Sequence, residues 1–336
     1  MCEPMKPVIL FLAAGLLLMS VGLYTIVGDL GLSADSDTAD SAEQVEPAQV
    51  NQPPVEPVIR RDGKDVYIEM TTQVTNVEIS KGLTYNAWTF NGTVPGPVIR
   101  VKQGDQLHLT LKNLDPSLAH SMDFHAVHAA PSAKFIDVMP GETGSFSYPA
   151  NNPGVFMYHC GTKPVLAHIA NGMYGTIIVE PTDGYPTDKE IDRSYTLVQS
   201  EFYKEHDFED MQDGEPSYVV FNGNDYGLME KPFLAKVGDK VRFYVSNAGP
   251  NEVSSFHIVG TMFDTVYMDG NPRNVQYGMQ TVMLPASGGA VVEVTVTEEG
   301  DYPIVTHQFN HASKGAVGIL RVTKDGQDNG MAAMGH

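Results

Sequence analysis

Cysteine, tryptophan and positive charge are all scarce in this chain of 336 residues, which has two cysteines, one tryptophan, and 21 Lys plus Arg against 41 Asp plus Glu. A net charge of −20 excludes a nucleic-acid partner, because phosphate binding needs a basic surface. It is compatible with a basic redox partner or a high-salt habitat. The two cysteines, Cys2 and Cys160, lie on either side of the chain's one long uncharged run, Pro7 to Val27. A disulfide in an exported part of the chain is therefore excluded, and a lone exported cysteine is either a buried bystander or a held thiolate. Also missing is any long segment with apolar residues at helical spacing. That excludes a helical fold and leaves room for a short helix or two in loops.

What is present is strand pattern. From Lys64 onward, runs such as DVYIEMTTQV, QLHLTLKNL, GTIIVEP and KVRFYVSNAG alternate with Gly, Pro, Asn and Asp turns. The pattern predicts an all-β fold of sandwiches or barrels. The chain also repeats. Phe90-Asn91-Gly92 returns as Phe221-Asn222-Gly223, Val101 to Asn113 as Ala235 to Asn247, Asp123-Phe124-His125 as Ser255-Phe256-His257, and Asn171 to Pro181 as Lys314 to Lys324. A period of about 140 residues is too long for a solenoid and reads as a duplicated domain. Upstream, Pro7 to Val27 spans 21 residues, Lys6 precedes it and Asp29, Asp35, Asp37 and Asp40 follow. It is long enough to cross a bilayer, and its flanking charges put the rest of the chain outside the cytoplasm. A retained anchor and a cleaved signal peptide compete here, and length favours the anchor. The expected division is an anchor or signal at 1–27, a flexible acidic linker at 28–60, a first domain at 61–182, a second at 190–324, and a flexible Met/His tail at 325–336.

The chemistry concentrates between Tyr158 and Gly175. Cys160, His168 and Met173 follow one another with seven and four residues between them. A thiolate, an imidazole and a thioether in that order are three ligands of a blue-copper electron-transfer centre, which takes one more histidine. His120 is the upstream candidate. Neighbours on a strand point to opposite faces, as do residues an odd number apart. If His120 and Cys160 meet inside the first domain, His125 and His159 meet on its outer face. His307 of the second domain is the candidate third ligand, and three imidazoles with an open position make a catalytic metal site. Asp123 shares a strand face with His125, and His257 is the second domain's counterpart of that motif. An acid and an imidazole beside an open metal position form a proton-delivery pair.

With these residues in place the chain resembles the two-domain copper-containing nitrite reductases, over roughly residues 64 to 324. The motifs are HSMDFH at 120–125, YHC at 158–160, HIANGM at 168–173, FHIV at 256–259 and THQ at 306–308. The resemblance implies tandem cupredoxin-like Greek-key barrels or sandwiches and one type 1 and one type 2 copper per chain. It implies a type 1 copper on His120, Cys160, His168 and Met173. The type 2 copper would take His125, His159 and His307 of a neighbouring subunit, in a homotrimer. Asp123 and His257 match the family's catalytic residues, and Val259 falls at a substrate-pocket position where many relatives carry isoleucine. The implied reaction is one-electron reduction of nitrite to nitric oxide and water. Its electron would come from a small redox donor such as a cupredoxin or a c-type cytochrome. The Cys160–His168 loop is the shorter form, as in membrane-associated relatives.

Two other functions compete. A laccase-like multicopper oxidase needs paired His-x-His motifs, and the sequence has none. A non-enzymatic cupredoxin carrier explains the type 1 ligands but leaves His125, His159, His307, Asp123 and His257 idle. Of the remaining histidines, His128 is expected at the surface or in packing. His311, seven residues before Gly318 as His168 is before Gly175, reads as the relic of a lost ligand that binds nothing. His108 and His206 have no evident partners. Met331, Met334 and His336 offer soft donors in a tail expected to be disordered.

Overall fold

A computed structural model of the chain describes residues 51–52 and 54–328. The apolar run at 7–27, most of the expected linker, and Met331, Met334 and His336 lie outside the described residues. No helix among the described residues is long and apolar enough to cross a membrane.

Described residues before the linker's expected end at residue 60 already make specific contacts. Gln52 accepts from Val74 N at 3.2 Å and donates to Leu114 O at 3.2 Å, standing in for a backbone partner. Val58–Asp62 then pairs antiparallel with Asp65–Glu69. Beyond this point strands dominate, as the sequence pattern predicts. Short helices are more numerous than the one or two expected: Pro131–Lys134, Val165–Ala170, Phe208–Asp213, Gly227–Glu230 and Phe309–Ala312. None is longer than six residues, so each is a loop device and none builds a layer.

Each half of the chain makes two sheets. In the first half, one sheet runs Val58–Asp62, Asp65–Ser80, Gln106–Asn113, Thr143–Pro149, with Leu83–Phe90 also on Asp65–Ser80. The other runs Ile99–Lys102, Tyr174–Glu180, Gly154–His159, Asp123–Phe124. The second half repeats the scheme. Asp65–Ser80 lies parallel to Gln106–Asn113 as Arg193–Phe202 lies parallel to Lys240–Asn247. Ile99–Lys102 lies parallel to Tyr174–Glu180 as Phe233–Lys236 does to Val317–Thr323. Sequence repeat and strand pairing thus coincide, and the fold is all-β with two cupredoxin-like domains.

Alternation explains which side chains go inside. In Gln106–Asn113, Leu107, Leu109 and Leu111 are buried while His108 and Thr110 face outward. Phe90, Phe124 and Tyr158 are fully buried in the same apolar cluster that contains Cys160 and Met173. Burying each aromatic ring contributes about 1.5–3 kcal/mol, so the wall behind the copper-type ligands is among the firmest parts of the first half. The halves are joined by specific polar contacts: Thr176 Oγ1 to Ser246 Oγ at 2.6 Å, and Tyr185 Oη donating to Gly270 O at 2.7 Å.

Candidate metal centres

The strand Gly154–His159 delivers the first centre. Tyr158 and Cys160 point into the core, and His159 between them turns to the other face. His120 is fixed by a two-way backbone bridge to Val138, at 3.1 and 2.8 Å. His168 sits on the helix Val165–Ala170, its ring 4.9 Å edge-on from Trp88. The Nδ1 atoms of His120 and His168 lie 3.2 Å apart, and Cys160 Sγ lies 3.9 and 3.3 Å from them respectively. Met173 is fully buried in the same cluster, and its backbone closes the loop: Met173 N donates to His168 O and Cys160 N to Met173 O, both at 3.1 Å.

Electrostatics suits this donor set to a soft cation. Burial alone would push the Cys160 thiol up, but the imidazoles of His168 and His120 outweigh it and hold the thiol well below its ordinary value. Ser121 N–H adds a contact to Sγ at 3.4 Å. Two imidazole nitrogens and a thiolate converging on one spot, with a thioether in the same core cluster, fit copper.

The second cluster is Asp123, His125 and His159, whose ligand atoms all lie within 4.8 Å of one another. His125 Nε2 and His159 Nε2 are 3.0 Å apart. His159 Nδ1 donates to the Cys160 carbonyl at 2.8 Å, which leaves Nε2 as the free donor atom. Asp123 is the cross-strand partner of His159. Burial and the neighbouring His159 push the His125 imidazole below its ordinary value, favouring the neutral, metal-binding form. The pairing of His120 with Cys160 and of His125 with His159 agrees with the strand-face argument, yet the backbone between them differs. His120 is an isolated bridge, the strand spans only Asp123–Phe124, and His125 is in a turn. His125 N donates to Met157 O at 3.1 Å, which aims the turn back at His159.

His257 and His307 come together in the second half, with rings 5.6 Å apart. Neither joins Asp123, His125 and His159 within one chain. His307 is exposed beside Phe309, Val259 is 39% exposed, and His257 Nδ1 bonds the Gln280 carbonyl. His125 in the first half and His307 in the second are exposed, while His159 is buried.

Two leftover histidines need correction. His108 has partners: Ser147 Oγ at 2.8 Å and Asp65 Oδ1 at 2.7 Å, with Tyr67 stacked on its ring. His206 stacks on Trp88 with ring centroids 5.8 Å apart. His311 Nε2 stands 3.3 Å from the Glu252 carboxylate. His128 is exposed, as expected. Sequence reasoning missed Asp115, whose Oδ2 lies 3.0 Å from His120 Nε2, and Trp88. The only sequence signal for Asp115 was its turn-forming context before Pro116.

Two multicopper oxidase family models match the chain, one over residues 71–184 and one over 198–326. The copper-containing nitrite reductase of Neisseria gonorrhoeae is 38% identical over 300 residues, covering 85% of this chain and 75% of that protein. The chain belongs to the copper-containing nitrite reductases. The enzyme of that name from Neorhizobium galegae is 32% identical over 300 residues, covering 81% of this chain and 79% of the relative. Among solved structures, the copper nitrite reductase of Nitrosomonas europaea superposes with a TM-score of 0.74 at 40% identity, covering 80% of this chain and 100% of that one. A multicopper oxidase structure at 24% identity and a TM-score of 0.69 shares the fold.

Proposed function

We propose that this chain reduces nitrite to nitric oxide, NO2⁻ + 2H⁺ + e⁻ → NO + H2O. His120, Cys160, His168 and Met173 would hold an electron-accepting type 1 copper. His125, His159 and His307 from a neighbouring copy would hold a catalytic type 2 copper. When bound, copper supplies one-electron redox chemistry at the first set and Lewis acidity toward nitrite at the second. The carrying observation is that His159, adjacent in sequence to Cys160, faces His125 on the outer side of the strand, while His307 and His257 face outward from the other half.

The side chains then divide the work. Cys160 and His159 share a peptide bond, a short covalent route between the two sites. The His159–Cys160 carbonyl bond holds one tautomer so that Nε2 stays free. Asp123, within reach of both outer histidines, is placed to hold a proton over the nitrite oxygen. His257, with Nδ1 committed to Gln280, has Nε2 left to give the second. Val259 would line the substrate side of that imidazole. An open hollow of ≈ 560 Å³ beside Asp123, bordered by Ile136, Asp137 and Lys163, offers access.

Further parts of the proposal follow from the same assignment. Sharing His307 between copies would place the active sites at subunit interfaces, in the homotrimer that the resemblance implies. Domain division near residues 182–194, the Greek-key connections, extracytoplasmic placement with a tether at 7–27, and a small cupredoxin or c-type cytochrome as donor belong to it as well. A laccase-like oxidase is disfavoured by the lack of His-x-His, and a simple carrier leaves the outer histidines without use.

The test is copper quantitation with nitrite-dependent NO release. The parent is expected to hold both coppers and release NO. His307→Ala should keep the type 1 signal while losing type 2 copper and activity, and co-expressing it with His125→Ala should restore part of both. A parent that loads both coppers and makes no NO sinks the reductase reading. Full activity in His307→Ala sinks the shared site.

A further inference from the structure

We propose that Asp115 is a positioning residue that locks His120 onto the copper and biases the Cys160 centre toward its oxidised state. The inference rests on the assignment of His120, Cys160 and His168 as type 1 ligands. Both the Asp115 and His120 side chains are 1% exposed, and Oδ2 lies 3.0 Å from Nε2. A donated Nε2–H fixes the tautomer whose Nδ1 lone pair points at His168 and Cys160. The carboxylate cannot swing away. Its Oδ1 accepts from Ser117 N at 2.8 Å and Leu118 N at 3.0 Å, and its backbone N donates to Asn113 Oδ1 at 2.9 Å.

Charge counting gives the direction of the bias. The buried thiolate and carboxylate together carry two negative charges, which balance copper(II). One-electron reduction to copper(I) breaks no bond and moves no proton in this scheme, and it leaves one net negative charge in a site without solvent. Such a charge is far costlier there than in water. The electron is therefore held less tightly and is better placed to pass on to nitrite.

The second half separates two roles of this carboxylate. Gly249 stands two residues after Asn247, where Asp115 stands two after Asn113. There the Glu201 carboxylate fills the space, its Oε1 accepting from Asn251 N at 3.3 Å and Glu252 N at 2.6 Å, the N–H groups that correspond to Ser117 and Leu118. Capping the loop is thus common to both halves. Contact between the loop-capping carboxylate and a candidate ligand imidazole occurs only in the half that has the thiolate; in the other half it is Glu252, not the capping Glu201, that lies 3.3 Å from an imidazole, that of His311.

The experiment is a potentiometric titration of the copper-loaded full chain, followed by the thiolate-to-copper absorption and by EPR. Asp115→Asn retains an oxygen for the two N–H groups and removes the charge. It should favour the reduced form at least tenfold at a fixed potential, which is about 59 mV for a one-electron couple. Asp115→Glu, which restores the charge, should return the midpoint toward the parent. A filled centre with an unchanged midpoint in Asp115→Asn overturns the inference, as does an equal shift in Asp115→Glu. If Asp115→Asn does not load copper, Asp115→Ser supplies the same comparison. A parent without the thiolate-to-copper band refutes the ligand assignment instead, a separate outcome.

Discussion

Replacing Gly175 by alanine probes how tightly the copper loop is wedged against the core. Gly175 pairs across the sheet with Tyr158, the residue before His159. A Cβ at Gly175 would stand 2.3 Å from both Cζ and Oη of Tyr158, where ordinary contact begins at 3.4 Å, so about 1.1 Å must be found. The ring has little room to yield. It stacks on Phe124 at 5.0 Å, meets Phe90 at 5.4 Å, and donates its hydroxyl to Pro97 O at 2.7 Å. Overpacking at such a site costs about 1–3 kcal/mol. Trp88 is the chain's one tryptophan and lies beside His168, so urea unfolding followed by its fluorescence reports the half that contains the clash. The loss should shrink when the ring is removed. In a Tyr158→Leu background, Gly175→Ala should cost less by about 0.5–3 kcal/mol, the coupling expected of residues in contact. Because Tyr158 is followed by His159 and Cys160, the single variant should also disturb the thiolate absorption. A midpoint equivalent to less than about 0.5 kcal/mol from the parent, with an unchanged spectrum, would refute the argument from close packing.

Two further outcomes follow from the polar groups. Asp123→Asn should leave both coppers loaded and lower NO formation by about 10² or more; an unimpaired rate would remove Asp123 from proton delivery. Burial holds the Glu201 carboxyl above its ordinary value of 4.5, so the folded chain keeps that proton more tightly than the unfolded chain does. Its contribution to stability is fully present below pH 4.5 and is lost as the pH rises through the raised value. Urea midpoints measured from about pH 4 to about pH 8 should fall less steeply in Glu201→Gln, and identical slopes would assign the pH dependence to other groups.

The duplication and the all-β pattern were legible because each leaves a local trace, in repeated words and alternating apolar residues, and the spacing of Cys160, His168 and Met173 within one loop pointed to the cluster they form with His120. Strand parity also paired His125 with His159, although that segment turns out to be a bridge, a two-residue strand and a turn. Parity succeeded because His159 itself lies on a regular strand and His125 N is tied to Met157 O. What could not be read was partnership across the fold. Asp115 lies five residues from His120 and looks like any turn aspartate, His206 reaches Trp88 from the other half of the chain, and Glu252 meets His311 only through tertiary packing. Periodicity carries no information about such contacts, since each is fixed by where the sheets bring loops together.

Glu252 and His311 also explain why one half keeps a metal-type site and the other does not need one. In the first half two imidazole nitrogens and a sulfur converge within 3.9 Å. Protons alone satisfy such a set poorly, because each N–H offered to one neighbour turns the other lone pairs toward like charge. A cation at their centre relieves all three at once, so metal affinity and folding stability become coupled. In the second half a glutamine follows His307 where a cysteine follows His159, and Ala316 replaces Met173. There the Glu252 carboxylate lies 3.3 Å from His311 Nε2. Removing copper should therefore loosen the first half more than the second.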